Sequence, residues 1–170
     1  MRIAVLGATG KTGRYLVTRL CREGDSVVAI SRSIERLADI DSCADKRQAD
    51  ILEAETIRAA LADADCVVSL AHARFTEALL PSLPSRCRWV VLTGSVRRST
   101  ALPDPAADAV REGEAVFARW RAKGGQGVML HPGMIYGARE DRNVGRLVRL
   151  LRAWPRFLPV VVPLPDGGTH

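Results

Sequence analysis

Among the residues whose spacing suits them to chemistry, three glycines at three-residue steps come first: Gly7, Gly10 and Gly13, in the run Gly7-Ala8-Thr9-Gly10-Lys11-Thr12-Gly13 directly after the apolar Arg2 to Leu6. Between a strand and a helix each glycine has its own task. Gly7 permits the tight turn, Gly10 allows close backbone approach to phosphate, and Gly13 lets the helix pack against the strand. The unpaired N–H groups at the helix start, with the positive end of the helix dipole, favour a pyrophosphate at that position. Gly7, Thr9, Gly10, Lys11, Thr12 and Gly13 are therefore the expected pyrophosphate-holding residues, with the Thr12 hydroxyl as an extra donor. The bland alternative is a structural turn. A triphosphate-binding P-loop is excluded, because its first glycine would fall at Val5, inside the strand.

The second apolar run ends at Ile30 and leads into Ser31-Arg32-Ser33, where a site for NAD would place a carboxylate on the ribose 2′-hydroxyl. No acidic residue stands there. Arg32, assisted by Ser31 or Ser33, suits a 2′-phosphate instead, so NADP is the expected cofactor, with NAD as the alternative. The competing reading of Arg32 is a solvated loop cation.

Other reactive side chains offer less. His72 and His131 have no second histidine or carboxylate at ligand spacing, so no metal site is expected. His131 reads as a satisfied residue at a strand edge, with a lesser catalytic alternative. Cys21, Cys43, Cys66 and Cys87 form no C-x-x-C and are expected to be reduced thiols, mostly buried. Arg142, Arg146, Arg149, Arg152 and Arg156 recur at three- and four-residue steps, opposite Val144, Leu147, Val148 and Leu151, which marks an amphipathic helix with a cationic, solvated face.

The elements that must position these residues follow from periodicity. Six strand-like runs appear, Ile3 to Leu6, Ser26 to Ile30, Lys46 to Ala49, Cys66 to Leu70, Trp89 to Thr93 and Gly127 to His131. Helical patterns alternate with them: Thr12 to Glu23 (Gly13, Val17, Leu20), Glu53 to Ala62 (Ala54, Ile57, Leu61) and Ala106 to Lys123 (Val110, Gly113, Phe117, Trp120), with weaker ones at Ser33 to Ala38 and Phe75 to Leu80. Such alternation predicts an α/β fold, a doubly wound parallel sheet of Rossmann type in the order 3-2-1-4-5-6. Its ligands lie beyond the carboxyl ends of the strands.

With 170 residues, 47% hydrophobic and 26% charged, the chain is long enough for one unaided core. No apolar stretch spans a membrane and no leader precedes the first strand, so a cytoplasmic protein is expected. The formal charge of +6 suits an anionic ligand, but without a recognised motif or interleaved aromatics it carries no nucleic-acid reading. Residues 1–157 are expected to form the dinucleotide-binding domain. The helix Asn143 to Trp154 and the strand-like Leu158 to Leu164 precede turn chemistry at 165–170, so residues 158–170 read as the start of a truncated or missing substrate-binding region. The expected partner is a small-molecule substrate, without nucleic acid or membrane; a homo-oligomer stays open.

With these residues in place, the chain resembles the short-chain dehydrogenase/reductase superfamily, in its atypical or extended branch of NAD(P)H-binding and epimerase-like proteins. The glycine run is the strongest match. Asp50-Ile51, Ala71, Leu92-Thr93-Gly94-Ser95 and His131-Pro132-Gly133-Met134-Ile135-Tyr136-Gly137 extend it along most of the chain. The resemblance implies that Asp50 and Ile51 line the adenine, Ala71 the ribose side, Pro132 and Gly133 the nicotinamide, and Ser95 the reacting centre. It also implies a Tyr-x-x-x-Lys pair, whose lysine lowers the tyrosine pKa for proton exchange. This chain departs from it. Tyr15 and Tyr136 are the only tyrosines, four residues before Arg19 and Glu140, and the helix expected to carry the pair has none. Ser95 remains as a hydroxyl to polarise a carbonyl, or as a turn cap, and Tyr136 as a substitute acid. The reading that results is an NADP-dependent oxidoreductase of the atypical short-chain type. Its alternatives are a non-catalytic cofactor-sensing or assembly protein and an epimerase or dehydratase on a nucleotide sugar.

Overall fold

The computed structural model describes residues 1–133, 135 and 144–153. Met1–Gly133 forms one compact unit and Met134–His170 a second. The first unit runs β1 (Arg2–Leu6), α1 (Lys11–Arg22), β2 (Ser26–Ser31), α2 (Ile34–Ala38), β3 (Asp45–Gln48), α3 (Ala54–Leu61), β4 (Cys66–Ser69), α4 (Thr76–Leu79), β5 (Trp89–Thr93), α5 (Pro105–Ala122) and β6 (Gly127–Leu130). Short 3-10 turns at Ala73–Phe75 and Leu80–Ser82 flank α4, and another follows β5 at Val96–Ser99.

All six strands are parallel, in the order β3-β2-β1-β4-β5-β6. The central strands are apolar on both faces because both are covered. Ala4, Leu6, Val28, Ile30, Val67, Val90 and Leu92 meet Ile57 and Leu61 of α3, Leu79 of α4 and Phe117 of α5. Ile3, Val5, Val27 and Ala29 point the other way, onto Val17 of α1 and Leu37 of α2. This period of two along each strand places successive residues in opposite layers. The polar β3, Asp-Lys-Arg-Gln, pairs only with β2 and sits at the sheet edge. Helix α3 has eight residues, too few to persist alone, and is held by buried Ile57, Ala60 and Leu61.

Two expectations need correction. Ala54 was expected on the buried face of its helix but is exposed; Ala60 joins Ile57 and Leu61 there instead, because Ala54 is the first helical residue and precedes the contact with the sheet. The four cysteines are not all reduced thiols. Cys21, near the end of α1, is disulfide-bonded to Cys43 in the loop between α2 and β3, with Cα atoms 6.2 Å apart. Their separation of 22 residues gave no motif, since the fold folds β2 and α2 back between them. Cys43 is exposed and Cys21 half-buried. Cys66 and Cys87 are free thiols, and burial pushes the Cys66 thiol up to about 11.

At the amino ends of the strands, Arg2 and Arg47 share two carboxylates. Arg2 reaches Asp45 at 2.6 Å and Asp63 at 2.9 Å, and Arg47 reaches the same two at 2.7 and 2.8 Å. This network pins the edge strand β3 to the start of β1 and the end of α3.

In the second unit, α6 spans Val144–Ala153. Arg146, Arg149 and Arg152 are exposed on it, and so are Val148 and Leu151 of the expected apolar face. Arg142, Arg156 and the expected strand Leu158 to Leu164 lie outside the described residues. Among the described residues, no helix is long and apolar enough to cross a membrane.

Candidate functional site

The glycine corner is built as its residue types require. Gly7 has φ +78°, a conformation that side chains disfavour, and its carbonyl accepts the N–H of Gly10 at 3.0 Å to close the turn. A Cβ on Gly13 would overlap the Gly7 carbonyl oxygen and come within 2.7 Å of the Ala8 Cα and carbonyl. The absence of a side chain there seats α1 directly on the turn. Helix α1 begins after Gly10 with no side-chain cap and no acidic residue in its first turn. Lys11 and Thr12 are exposed on that turn.

Beside this corner, beyond the carboxyl ends of β1, β2 and β4, lies a cleft of about 640 Å³. Gly7 and Thr9 form one wall, Ser31, Arg32, Ser33 and Arg36 a second, and Asp50, Ile51, Ala71 and Phe75 a third. Parallel pairing brings these loops together: the Ala8 N–H donates to Ile30 and the Ala49 N–H to Ser31, at 3.3 and 3.1 Å. Ser31 Oγ lies 3.2 Å from Thr9 Oγ1 and accepts the Ser33 N–H at 3.3 Å, joining the first two walls.

The second wall carries two cations. Arg36 comes from the first turn of α2, whose N-cap Ser33 accepts the Arg36 N–H at 3.3 Å. Gln48 donates to the Arg32 carbonyl at 2.9 Å, holding the backbone of that residue while its side chain stays exposed. Ser33 Oγ donates to Glu35 at 2.6 Å, which holds that carboxyl below its usual range. The Ser33 hydroxyl proton is thus committed within the loop. Asp50 uses Oδ1 to accept the Leu52 N–H at 3.0 Å.

A separate cluster forms at the ends of β5 and β6. Ser95 caps the following 3-10 turn, its hydroxyl accepting the Arg97 N–H at 3.2 Å. The Ser95 N–H donates to His131 Nδ1 at 3.2 Å, and His131 Nε2 lies 3.7 Å from Glu114 of α5, which also pairs with Arg98 at 2.7 Å. A Cβ on Gly94 would overlap the imidazole, so the glycine makes room for it. The Pro132 carbonyl accepts the Val96 N–H at 3.4 Å, while Gly133 is exposed with open space at its α-carbon.

Comparison with known proteins fits this geometry. An NAD(P)H-binding family model matches residues 7–81, which begin at the glycine corner and include every wall of the cleft except Leu6. Residues 7–81 are therefore similar to an NAD(P)H-binding domain. An uncharacterized protein of Mycobacterium tuberculosis strain H37Rv is 43% identical over 74 residues, 44% of this chain and 8% of that protein. Photosystem II assembly factor Ycf39 of Synechocystis sp. is 34% identical over 80 residues, 46% of this chain and 24% of that protein. The UDP-N-acetylglucosamine 4-epimerase of Bacillus cereus shares the fold with a TM-score of 0.70 at 22% identity, over 88% of this chain and 66% of its own. The chain therefore spans less than two thirds of each of these relatives.

Six of the residues expected from sequence line one cleft: Gly7, Thr9, Arg32, Asp50, Ile51 and Ala71. Gly10, Lys11, Thr12 and Gly13 occupy the adjoining turn and first turn of α1. Ser95, Pro132 and Gly133 stand apart at the ends of β5 and β6 and do not line the cleft. Tyr136 lies outside the described residues. Arg36 and Phe75 were missed. Arg36 had a signal, its four-residue step from Arg32 across a helix start; Phe75, against which Arg74 stacks at 4.6 Å, had none. Among the described residues, no group of His, Cys, Asp and Glu is arranged to hold a metal.

Proposed function

We propose that the chain binds NADP in preference to NAD and acts as an oxidoreductase of the atypical short-chain type. The observation that carries this is the wall formed by Arg32 and Arg36 at the end of β2, without a carboxylate lining the same wall. Two guanidinium groups suit a dianionic 2′-phosphate, whereas a 2′-hydroxyl would leave them without a charged partner. The side-chain-free seat at Gly13 and the uncapped start of α1 suit the pyrophosphate. Asp50 and Ile51 would face the adenine, Ala71 the ribose, and Pro132 and Gly133 the nicotinamide.

The bound nicotinamide supplies hydride. The chain's own residues position an acceptor and manage a proton. Ser95 accepts the Arg97 N–H through its oxygen, which leaves its own O–H to donate toward an acceptor oxygen. Helix α5 carries no tyrosine, so the reading favours acceptors such as quinones, flavins or carbonyl compounds for which orientation supplies most of the rate. Calorimetry with NADP+ and NAD+, followed by NADPH oxidation with a panel of those acceptors, is the test. Tighter binding of NADP+ and acceptor-dependent oxidation are expected; NADPH binding with no oxidation above buffer would overturn the oxidoreductase reading.

A second reading is a cofactor sensor or assembly protein that binds without turnover. The missing tyrosine on α5 and the similarity to an assembly factor, Ycf39, favour it. It predicts a partner protein that associates with only one oxidation state of the cofactor. Equal association with both would count against it.

A further inference from the structure

We infer that Cys21 and Cys43 form a reversible dithiol–disulfide switch that sets the order of the cationic wall of the cofactor cleft. The inference rests on the NADP reading of that wall. The bridge closes a covalent ring through residues 21–43, and five lining residues of the cleft lie inside it: Ile30, Ser31, Arg32, Ser33 and Arg36. Both arginines are carried by that ring.

The ring matters because α2 holds itself poorly. It has five residues, well below the length at which a helix persists without tertiary support. Leu37, Ile40 and Ala44 anchor its inner side. On its outer side the Arg14 to Asp39 ion pair, 3.2 Å long, joins side chains 41% and 67% exposed, a contact of the weak, solvent-screened kind. The Cys21–Cys43 bond is the covalent tie between α1 and the loop that follows α2. It lies at the end of α1 remote from the glycine corner, so opening it leaves that corner's seat on Gly13 in place.

Access decides which sulfur reacts. Cys43 is exposed and Cys21 half-buried, so a small thiolate such as that of glutathione attacks Cys43. A mixed disulfide forms there as the bond to Cys21 breaks, and Cys21 leaves as a thiolate that takes a proton from water. A second glutathione thiolate attacks the glutathione sulfur of the mixed disulfide and releases Cys43. Two thiols are oxidised to glutathione disulfide and the protein disulfide is reduced to two thiols; glutathione disulfide drives the reverse. Cys66 and Cys87, buried and half-buried, stay outside this exchange.

The experiment holds the full chain in glutathione buffers of graded redox potential, alkylates free thiols and locates them by mass spectrometry. Amide hydrogen exchange of residues 32–44 is then compared in the oxidised and reduced protein without cofactor, and NADP+ and NAD+ affinities are measured for both forms and for Cys43→Ser. Cys21 and Cys43 are expected to become alkylated together, and exchange in 32–44 to rise on reduction. NADP+ affinity is expected to fall about fivefold, as when the wall is ordered about a fifth of the time, and NAD+ affinity to change less than about twofold. Cys43→Ser should match the reduced form. Unchanged exchange across 32–44, or equal NADP+ affinity in both forms, overturns the switch. If neither form binds NADP+ the NADP reading fails, and the exchange comparison still decides whether the bridge orders the wall.

Discussion

The Ser95 N–H donates to Nδ1 of His131 at 3.2 Å, joining the carboxyl ends of β5 and β6 through one imidazole. Acceptance at Nδ1 places the neutral ring's proton on Nε2, the nitrogen that faces Glu114 at 3.7 Å. A side chain on Gly94 would occupy the same space as this ring. His131→Ala leaves the half-buried Ser95 N–H without its acceptor and is expected to cost about 1–2 kcal/mol. Gly94→Ala is expected to cost a similar amount by displacing the ring, and far less in the His131→Ala background. Denaturant unfolding of the two single variants and the double variant checks this; additive losses would show that the glycine and the histidine act separately.

Gly13→Ala drives a methyl group into the Gly7 carbonyl and Ala8, both backbone, so neither can give way cheaply. A loss of about 2–3 kcal/mol in unfolding free energy is expected, at the upper end of overpacking costs, together with loss of nicotinamide cofactor binding. Gly24→Ala is the control for position in the chain. Gly24 has open space around it but φ +85°, so it should lower stability by about 1 kcal/mol while leaving cofactor affinity unchanged.

Arg36→Ala should weaken NADP+ binding about tenfold and NAD+ binding about twofold or less, since a charge-assisted contact to phosphate is lost only with the phosphorylated cofactor. Arg32→Ala should do the same. Calorimetry with both coenzymes reads the ratio, and equal losses for the two would remove the cationic wall from cofactor choice.

Asp63 sets an acid limb. The Arg47 guanidinium beside it holds its carboxyl down to about 2, below an ordinary aspartate. A depressed folded-state value means the stabilising contribution is complete above the unfolded value near pH 4 and is lost as pH falls toward 2. Asp63 is 39% exposed, so solvent screening limits the contribution to about 1 kcal/mol or less. Asp63→Asn should therefore lower the melting temperature at pH 7 slightly and flatten its decline between about pH 4 and pH 2. An unchanged acid limb would show that the Arg47 pair does not couple folding to pH.

The sheet was legible in the sequence because its signals are local. Apolar runs such as Ile3 to Leu6 and Val27 to Ile30 need only their own period and length to read as strands covered on both faces, and the handedness of crossovers orders them. The glycine corner was legible for the same reason: φ +78° at Gly7 and the tight seat at Gly13 are steric demands made within a few residues. The polar β3 was faint because an edge strand lacks the two-sided burial that writes a pattern.

What only the tertiary structure decided are meetings between distant segments. No spacing links Cys21 to Cys43, His131 to Glu114, or Phe75 to the cleft that it lines with Arg36. Periodicity assigns a side chain to a face, but its neighbour on that face depends on how far each crossover helix returns along the sheet. That distance is set by packing of whole helices, through close approaches such as Gly113 of α5 against Ala73, and no single residue encodes it. Apolar patterning and backbone sterics therefore determined the sheet and the glycine corner from the sequence alone, whereas the place of Phe75 in the cleft, the Cys21–Cys43 bridge and the Ser95–His131–Glu114 cluster exist only once the helices are packed.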